Sequence, residues 1–126
     1  MTLKERIQAP GPKKILALDG GGIRGMMTIE VLAEIENLLR QQLKRGPEFR
    51  LAQFFDFVAG TSTGAIIAAC ISSGMAVSEI RDFYQRSGEE MFDKAFLLKR
   101  FRAKYEDEKL AKKLQEVFGR DATLGS

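Results

Sequence analysis

One stretch of the sequence, Phe54–Ile71, constrains the fold more than any other. An apolar run is followed by Gly-Thr-Ser-Thr-Gly and then by a second apolar run. The first run has the length of a buried strand, and the second is apolar on nearly every side, like a helix inside a core. Gly60 and Gly64, two residues to each side of Ser62, would let strand and helix pass so closely that a Cβ would collide with backbone. This combination is typical of the nucleophile elbow, which holds a serine hydroxyl clear of the backbone.

The alternative is a turn of small residues without chemistry, because Gly, Ser and Thr are common turn formers. The strand before the turn and the apolar helix after it are the context that the motif requires, and they favour the catalytic interpretation. The helix also directs its free N–H groups and the positive end of its dipole at the serine, which favours negative charge there. Ser62 is therefore the predicted nucleophile.

The composition of the chain limits the classes of protein in which such an elbow could occur. The chain has 126 residues, 44% hydrophobic and 29% charged, which is ordinary for at most one globular domain. No apolar run reaches the roughly 18 residues of a membrane-spanning helix. The charged start, Met1–Arg6, lacks the apolar segment of a secretory signal, so we expect a cytoplasmic protein. The net charge of +3 is too weak and too evenly spread to predict nucleic-acid binding.

The histidine and cysteine contents exclude two kinds of chemistry within this chain. The chain contains no histidine, so a Ser-His-Asp triad cannot be assembled from its residues. Its single cysteine, Cys70, rules out an internal disulfide. Because Cys70 lies inside the apolar helix, we interpret it as a small core residue.

A second glycine-rich segment, Asp19–Gly25, follows the apolar run Ile15–Leu18, which is predicted to be a strand covered on both faces. Three successive glycines do not add stability, because each loses conformational entropy when it is ordered. They offer bare backbone N–H groups that an anion or a developing oxyanion can approach closely. A plain loop is the alternative, but four glycines in six residues argue against it.

The connection between the two motifs predicts an α/β arrangement. Met26–Arg45 has helical periodicity, ends at Gly46-Pro47, and would return the chain to a second strand at Asp56–Gly60. A strand, a helix and a strand form a right-handed βαβ unit with parallel strands. Both glycine motifs would then lie at the carboxyl edge of the sheet, where α/β active sites form. Residues 1–13, which include Pro10-Gly11-Pro12, are predicted to be a flexible lead-in.

The remainder of the chain is predicted to be helical around one unusual segment. Ser78 would cap a helix that runs towards Met91, and Glu106 would open a final amphipathic helix that Gly119 closes. Between them, Lys94–Tyr105 mixes cations with large apolar side chains and contains no acid, as interfacial membrane segments do. A partly buried connector with solvated cations is the favoured alternative, because the run is short and modestly charged. Peripheral membrane contact is thus an open hypothesis.

The glycine loop also fits the dinucleotide-binding fingerprint. Gly20-x-Gly22-x-x-Gly25 follows a predicted strand and opens a predicted helix, as that fingerprint demands. A Rossmann unit next requires an acidic residue at the end of its second strand, for the ribose hydroxyls. Here that strand ends in Gly60–Gly64, which contains no carboxylate. Nucleotide binding is therefore the weaker interpretation.

Together, the two motifs resemble those of the amino-terminal part of a patatin-like phospholipase. The resemblance rests on Asp19–Gly25 and Gly60–Gly64, about forty residues apart and each at a strand end, and it is strong over Lys14–Gly74. It implies a three-layer α/β/α fold with a mainly parallel sheet. Residues 14–126 would supply only the first part of such a domain.

The resemblance also implies an activity, the hydrolysis of a lipid or acyl ester by a Ser-Asp dyad without a metal or other cofactor. By position it assigns the nucleophile to Ser62. The oxyanion hole would consist of backbone N–H groups with an arginine close by, at Gly20, Gly21, Gly22 and Arg24. The remaining glycines of the two motifs are Gly25, Gly60 and Gly64.

One part of the family pattern is missing. Family members carry the dyad aspartate in a later Asp-Gly-Gly or Asp-Gly-Ala motif, and the only Asp-Gly pair here, Asp19-Gly20, already belongs to the glycine loop. The late aspartates are not followed by glycine and are not candidate bases: Asp82, Asp93, Asp107 and Asp121. We therefore expect a carboxyl-terminal segment or another chain to complete the sheet and supply the base. The alternative is an inactive fragment or non-catalytic module of such a protein.

Overall fold

The structure is a computed structural model that describes residues 2–92 and 104–123. Its helices and strands follow in the order α1 (Leu3–Gln8), β1 (Ile15–Leu18), α2 (Gly25–Gln42), β2 (Phe57–Gly60), α3 (Thr63–Ser72), α4 (Val77–Phe92) and α5 (Lys104–Phe118). Short 3-10 turns precede α2, at Gly22–Arg24, and β2, at Leu51–Gln53.

The two strands are parallel neighbours, which confirms the predicted pairing. Their register joins Ile15 to Phe57 and Leu18 to Gly60, and α2 is the crossover between them. Strand β2 begins one residue later than predicted. Asp56 lies outside it because its side chain accepts hydrogen bonds from Arg6 and from the Lys14 N–H, both at 2.8 Å. The described residues thus form a two-stranded parallel sheet with helices, which is a partial α/β domain.

The core lies where α2, α3 and α4 meet. Helix α3 is apolar on most sides and is largely buried, as predicted. Each fully buried Leu or Ile side chain contributes roughly 1.5–3 kcal/mol through burial. The core includes Ile29, Leu32, Ile67, Ile71, Ile80 and Tyr84. One face of α5 packs against this core with the side chains predicted to be apolar: Leu110, Leu114, Val117 and Phe118.

Helix α1 was not expected, because residues 1–13 were predicted to be a flexible lead-in. A capping box starts it: the Thr2 hydroxyl accepts the Glu5 N–H at 3.3 Å, and the Glu5 carboxylate accepts the Thr2 N–H at 2.6 Å. A helix of six residues is not stable by itself, so its stability depends on tertiary contacts. Arg6 provides them by donating to Asp56 and to three carbonyl oxygens before β2, those of Ala52, Gln53 and Phe55, at 2.8, 3.1 and 2.9 Å.

The cap of α4 also differs from the prediction. Ser78 does not cap the helix and is exposed in its first turn. Ala76 holds the cap position, since its carbonyl accepts the N–H groups of Glu79 and Ile80 at 3.0 and 3.1 Å. The Glu79 carboxylate accepts the Ala76 N–H at 2.7 Å, which is the acidic half of a capping box.

The basic and aromatic segment predicted over Lys94–Tyr105 lies almost entirely outside the described residues. Its last residues begin α5, which starts before the predicted Glu106. Among the helices that the structure describes, none combines the length and the apolar character needed to cross a membrane.

Candidate active site

Ser62 occupies the turn between β2 and α3 in a conformation that serine rarely adopts. Its φ and ψ are 55° and −125°. The Gly64 N–H donates to the Thr61 carbonyl at 2.9 Å, so residues 61–64 form a β-turn with Ser62 in its second position. These angles belong to the type II′ turn, whose second position glycine dominates. A serine in this conformation costs on the order of 1–3 kcal/mol in backbone strain. Ser62 lies exposed at the N-terminus of α3.

Two glycines provide the space for this turn. A Cβ on Gly60 would overlap the Gly64 carbonyl and lie 2.6 Å from the Ala65 nitrogen. A Cβ on Gly64 would overlap the Leu18 carbonyl. Since the atoms that would be struck belong to the backbone, no side-chain rotation relieves either collision. Helix α3 therefore approaches both β2 and the end of β1 so closely that only glycine fits at these two positions.

The glycine loop after β1 lies directly beside Ser62. A Cβ on Gly20 would be 2.8 Å from the Ser62 Cβ and 3.5 Å from its Oγ. The Gly20 N–H donates to Thr61 Oγ1 at 3.3 Å, and the Thr61 N–H donates to the Leu18 carbonyl at 3.1 Å. The structure thus brings together two motifs that are far apart in the sequence, at the carboxyl edge of the sheet.

The N–H groups of Gly21 and Gly22 donate no hydrogen bond within the part of the chain that the structure describes. Gly22 has a φ of +60°, which a residue with a side chain rarely adopts. The Gly21 carbonyl accepts the Arg24 N–H at 3.2 Å and closes the 3-10 turn, so Arg24 lies next to the loop with its side chain exposed. Gly20, which lies against Ser62, therefore has its N–H engaged, whereas the N–H groups of the next two glycines are unengaged among the described residues.

Tyr84 of α4 also lies at this loop, although neither glycine motif includes it. Its side chain is 2% exposed, and its hydroxyl donates to the Gly22 carbonyl. Burial raises the pKa of the Tyr84 hydroxyl, and interactions with the Thr63 hydroxyl and the Gly25 N–H oppose that rise. The residue type alone could have indicated a polar contact here, because a tyrosine on the core face of a helix needs a hydrogen-bond partner for its hydroxyl.

Within the described part of the chain, the Ser62 hydroxyl is not engaged and no group of metal ligands is found. The Ser62 hydroxyl has no hydrogen-bond partner among the described residues. In the same residues, no three His, Cys, Asp or Glu side chains are grouped so that they could hold a metal ion.

Comparison with known proteins identifies the family. The family described as Patatin-like phospholipase matches residues 16–124. Patatin-like protein 1 of Oryza sativa subsp. indica is 37% identical over 93% of this chain and 32% of its own length. The cGAMP-activated phospholipase of Vibrio cholerae serotype O1 is 32% identical over 88% of this chain and 34% of its own, and Patatin-17 of Solanum cardiophyllum is 35% identical over 83% and 28%.

The chain spans about a third of the length of the curated relatives that it matches. No solved structure matches it at a significant level. The partial α/β domain with its parallel strands agrees with the patatin fold that the sequence predicted. Because the family match covers most of the chain, including both glycine motifs that meet beside Ser62, the chain belongs to the patatin-like phospholipase family.

Proposed function

We propose that the protein containing this chain hydrolyses lipid acyl esters, with Ser62 as the nucleophile. The observation that carries the proposal is the contact between the elbow and the glycine loop, in which the Cβ position of Gly20 is 3.5 Å from Ser62 Oγ. An exposed, strained serine beside unengaged backbone N–H groups is the arrangement that acyl transfer needs. Membership of a family described as phospholipases favours a lipid as the source of the acyl group.

The proposed reaction has two halves. Ser62 Oγ attacks the acyl carbonyl carbon while its proton passes to a base, and the carbonyl oxygen becomes an oxyanion. The tetrahedral intermediate expels the alcohol, which takes up the proton, and leaves an acyl-serine. Water then attacks the acyl-serine, which releases the fatty acid and restores the Ser62 hydroxyl.

The glycine loop would stabilise the oxyanion in both halves. The N–H groups of Gly21 and Gly22 are the first candidates, because neither donates a hydrogen bond within the described residues. Gly20 would join them by exchanging its present acceptor, Thr61 Oγ1. Loss of one such donor typically lowers the rate by about 10²–10³-fold. The exposed Arg24 would add positive charge close to the loop.

We propose that the base comes from a completing carboxyl-terminal segment or from another chain. A serine hydroxyl without a base is a weak nucleophile, and the family resemblance implies an aspartate in a later Asp-Gly motif. The same segment would cover the apolar side chains of Ile15 and Phe57, which pair in the sheet and are 64% and 62% exposed. We therefore expect the 126 residues alone to hydrolyse no ester above background. A monomeric, cooperatively unfolding 126-residue protein with Ser62-dependent esterase activity would contradict this.

Contact with a lipid surface is the least supported part of the proposal. An enzyme of this kind meets its substrate as an aggregate, and Lys94–Tyr105 combines cations with large apolar residues as interfacial segments do. A connector with solvated cations is the favoured alternative. Binding to anionic vesicles distinguishes the two.

The nucleophile is tested by labelling the full-length protein with a fluorophosphonate probe. Ser62→Ala should abolish labelling and lower ester hydrolysis by roughly 10³-fold or more. Ser72→Ala and Ser73→Ala are matched controls, because both serines lie at the far end of α3, and they should label normally. Labelling and activity that persist after Ser62→Ala would refute the assignment. A wild-type protein that neither labels nor hydrolyses esters would favour the non-catalytic alternative.

A further inference from the structure

We propose that Tyr84 is a positioning residue for ester hydrolysis, because its hydroxyl fixes the glycine loop in the conformation in which the loop faces Ser62. The inference rests on the proposed function, since the loop matters to catalysis only if Ser62 is the nucleophile. It adds a helix, α4, to the site, which the two glycine motifs alone do not include.

The contacts of Tyr84 join α4 to both ends of the 3-10 turn before α2. Its hydroxyl donates to the Gly22 carbonyl at the start of the turn. Its ring lies against Gly25, just after the turn, where an added Cβ would overlap the hydroxyl oxygen and lie 2.9 Å from Cζ. Gly22 and Gly25 therefore both contact the buried Tyr84 side chain. These two contacts restrict movement of the loop relative to α4.

The same hydroxyl reaches the elbow. Thr63 is the residue after Ser62, and its side chain is 4% exposed. Its buried hydroxyl lies near that of Tyr84 but forms no hydrogen bond among the described residues. Tyr84 thus contacts the loop that would hold the oxyanion and lies near the turn that holds the nucleophile.

The physical reason that a carbonyl contact affects N–H donors is the planarity of the peptide bond. When Tyr84 holds the Gly22 carbonyl, it fixes the orientation of the whole peptide unit between Gly22 and Ile23. Glycine adopts many backbone conformations at similar cost, so successive glycines do not hold this orientation by themselves. Without the hydroxyl, the Gly22 carbonyl regains a partner by rotation of this unit about the Gly22 Cα–C bond. The adjacent Gly21–Gly22 unit, which carries the Gly22 N–H, is joined to it through the Gly22 Cα and loses a fixed neighbour on that side.

This contact also accounts for the last glycine of the loop. In a dinucleotide-binding fingerprint the third glycine permits close packing of helix and strand. Here Gly25 is buried beneath the Tyr84 ring, so any side chain at this position would displace the ring. The third glycine of the Gly-x-Gly-x-x-Gly pattern is thereby explained by a tyrosine that the pattern does not contain.

The test is Tyr84→Phe in the full-length protein, because this change removes the hydroxyl and keeps the ring. We expect kcat on a p-nitrophenyl ester to fall by about 10- to 100-fold, since misplacement of a catalytic group by about 1 Å costs rates of this order. KM should stay within about twofold, because the contact serves the transition state rather than substrate binding. The rate of fluorophosphonate labelling of Ser62 should also fall. The final extent of labelling gives the concentration of active sites, and kcat is normalised to that concentration.

Two further variants separate positioning from stability. Ser87→Ala removes another hydroxyl from the buried face of α4 and should leave the normalised kcat unchanged. Gly25→Ala keeps the Tyr84 hydroxyl but displaces it, so it should reproduce the loss of kcat at unchanged KM. If Tyr84→Phe gives no labelled protein, the kcat and KM of Gly25→Ala test the same contact.

The outcomes are distinct. Normalised kcat within twofold of wild type in Tyr84→Phe would overturn the inference, and so would an equal loss in Ser87→Ala, which would show a general effect on the fold. Hydrolysis that persists after Ser62→Ala refutes the proposed function. Ser62-dependent hydrolysis that Tyr84→Phe leaves intact refutes only the role of Tyr84.

Discussion

Replacing Gly64 by alanine should destabilise the protein, although helix propensity alone predicts the opposite. Gly64 is buried in the first turn of α3, and alanine is favoured over glycine in a helix interior by about 1 kcal/mol. The structure leaves no space for the new methyl group. It would overlap the Leu18 carbonyl oxygen and lie 2.7 Å from the Asp19 carbonyl oxygen. The sign of the change therefore decides between propensity and packing.

The magnitude follows from how far the backbone must move. To restore ordinary contacts with both oxygens, α3 and the end of β1 must separate by roughly 1 Å, because the overlap with the Leu18 oxygen is the larger of the two. Overpacking of a core costs about 1–3 kcal/mol. The separation also stretches the hydrogen bond from the Thr61 N–H to the Leu18 carbonyl, now 3.1 Å, whose net contribution is about 1 kcal/mol. After subtraction of the gain in helix propensity of about 1 kcal/mol, we expect the free energy of unfolding to fall by roughly 1–3 kcal/mol.

Urea unfolding of the full-length protein measures this change as a shift of the midpoint at constant m-value. Gly21→Ala is the matched control in the neighbouring loop, because its Cβ would meet only the Arg24 Cβ, at 3.5 Å. Its free energy of unfolding should change by less than about 0.5 kcal/mol. A Gly64→Ala protein as stable as the wild type, or more stable, would refute the close approach of α3 to β1.

Three other predictions address burial, pH and charge. Burial raises the pKa of the Cys70 thiol to about 11, so the native protein at pH 8 should resist thiol reagents until it unfolds, and rapid stoichiometric labelling would contradict this. The Lys14 N–H and the Arg6 side chain hold the pKa of Asp56 below its usual value of 3.8, so the stabilisation from these contacts is present above that pH and is lost as the pH falls through the folded-state pKa. The difference in Tm between wild type and Asp56→Asn should therefore shrink as the pH is lowered below about 4, and a constant difference from pH 7 to 3 would argue against the contact. Charge reversal at Lys99, Arg100 and Arg102 should weaken binding to anionic vesicles at low salt. Unchanged binding would exclude Lys94–Tyr105 as a membrane-contact segment.

The features predicted correctly from the sequence are those that depend on local patterns. Ile15–Leu18 has the predicted bounds because a polar residue lies on each side of one short apolar run. The meeting of the two glycine motifs follows from topology, since consecutive parallel strands end at the same edge of a sheet. The apolar face of α5 follows from helical periodicity.

The features that the sequence did not predict depend on partners far along the chain. Arg6 stabilises α1 through Asp56, which is 50 positions away, and the partner of the Tyr84 hydroxyl is 62 positions away. Periodicity places Tyr84 on a buried face but says nothing about which carbonyl lies opposite. Ser78 has the residue type of a cap, yet Glu79 forms the capping contact with the Ala76 N–H instead. Local propensity does not decide between two such adjacent candidates.

Helix α1 has a practical consequence for expressing this domain. The family match begins at residue 16, so a boundary chosen by sequence similarity would discard α1. Such a shortened protein would lose both hydrogen-bond donors to Asp56, the Arg6 guanidinium and the Lys14 N–H, as well as the donor to the carbonyls before β2. The strand that leads to Ser62 would then begin from an unanchored turn. Recombinant versions should therefore start at or before Thr2, where the capping box begins the helix.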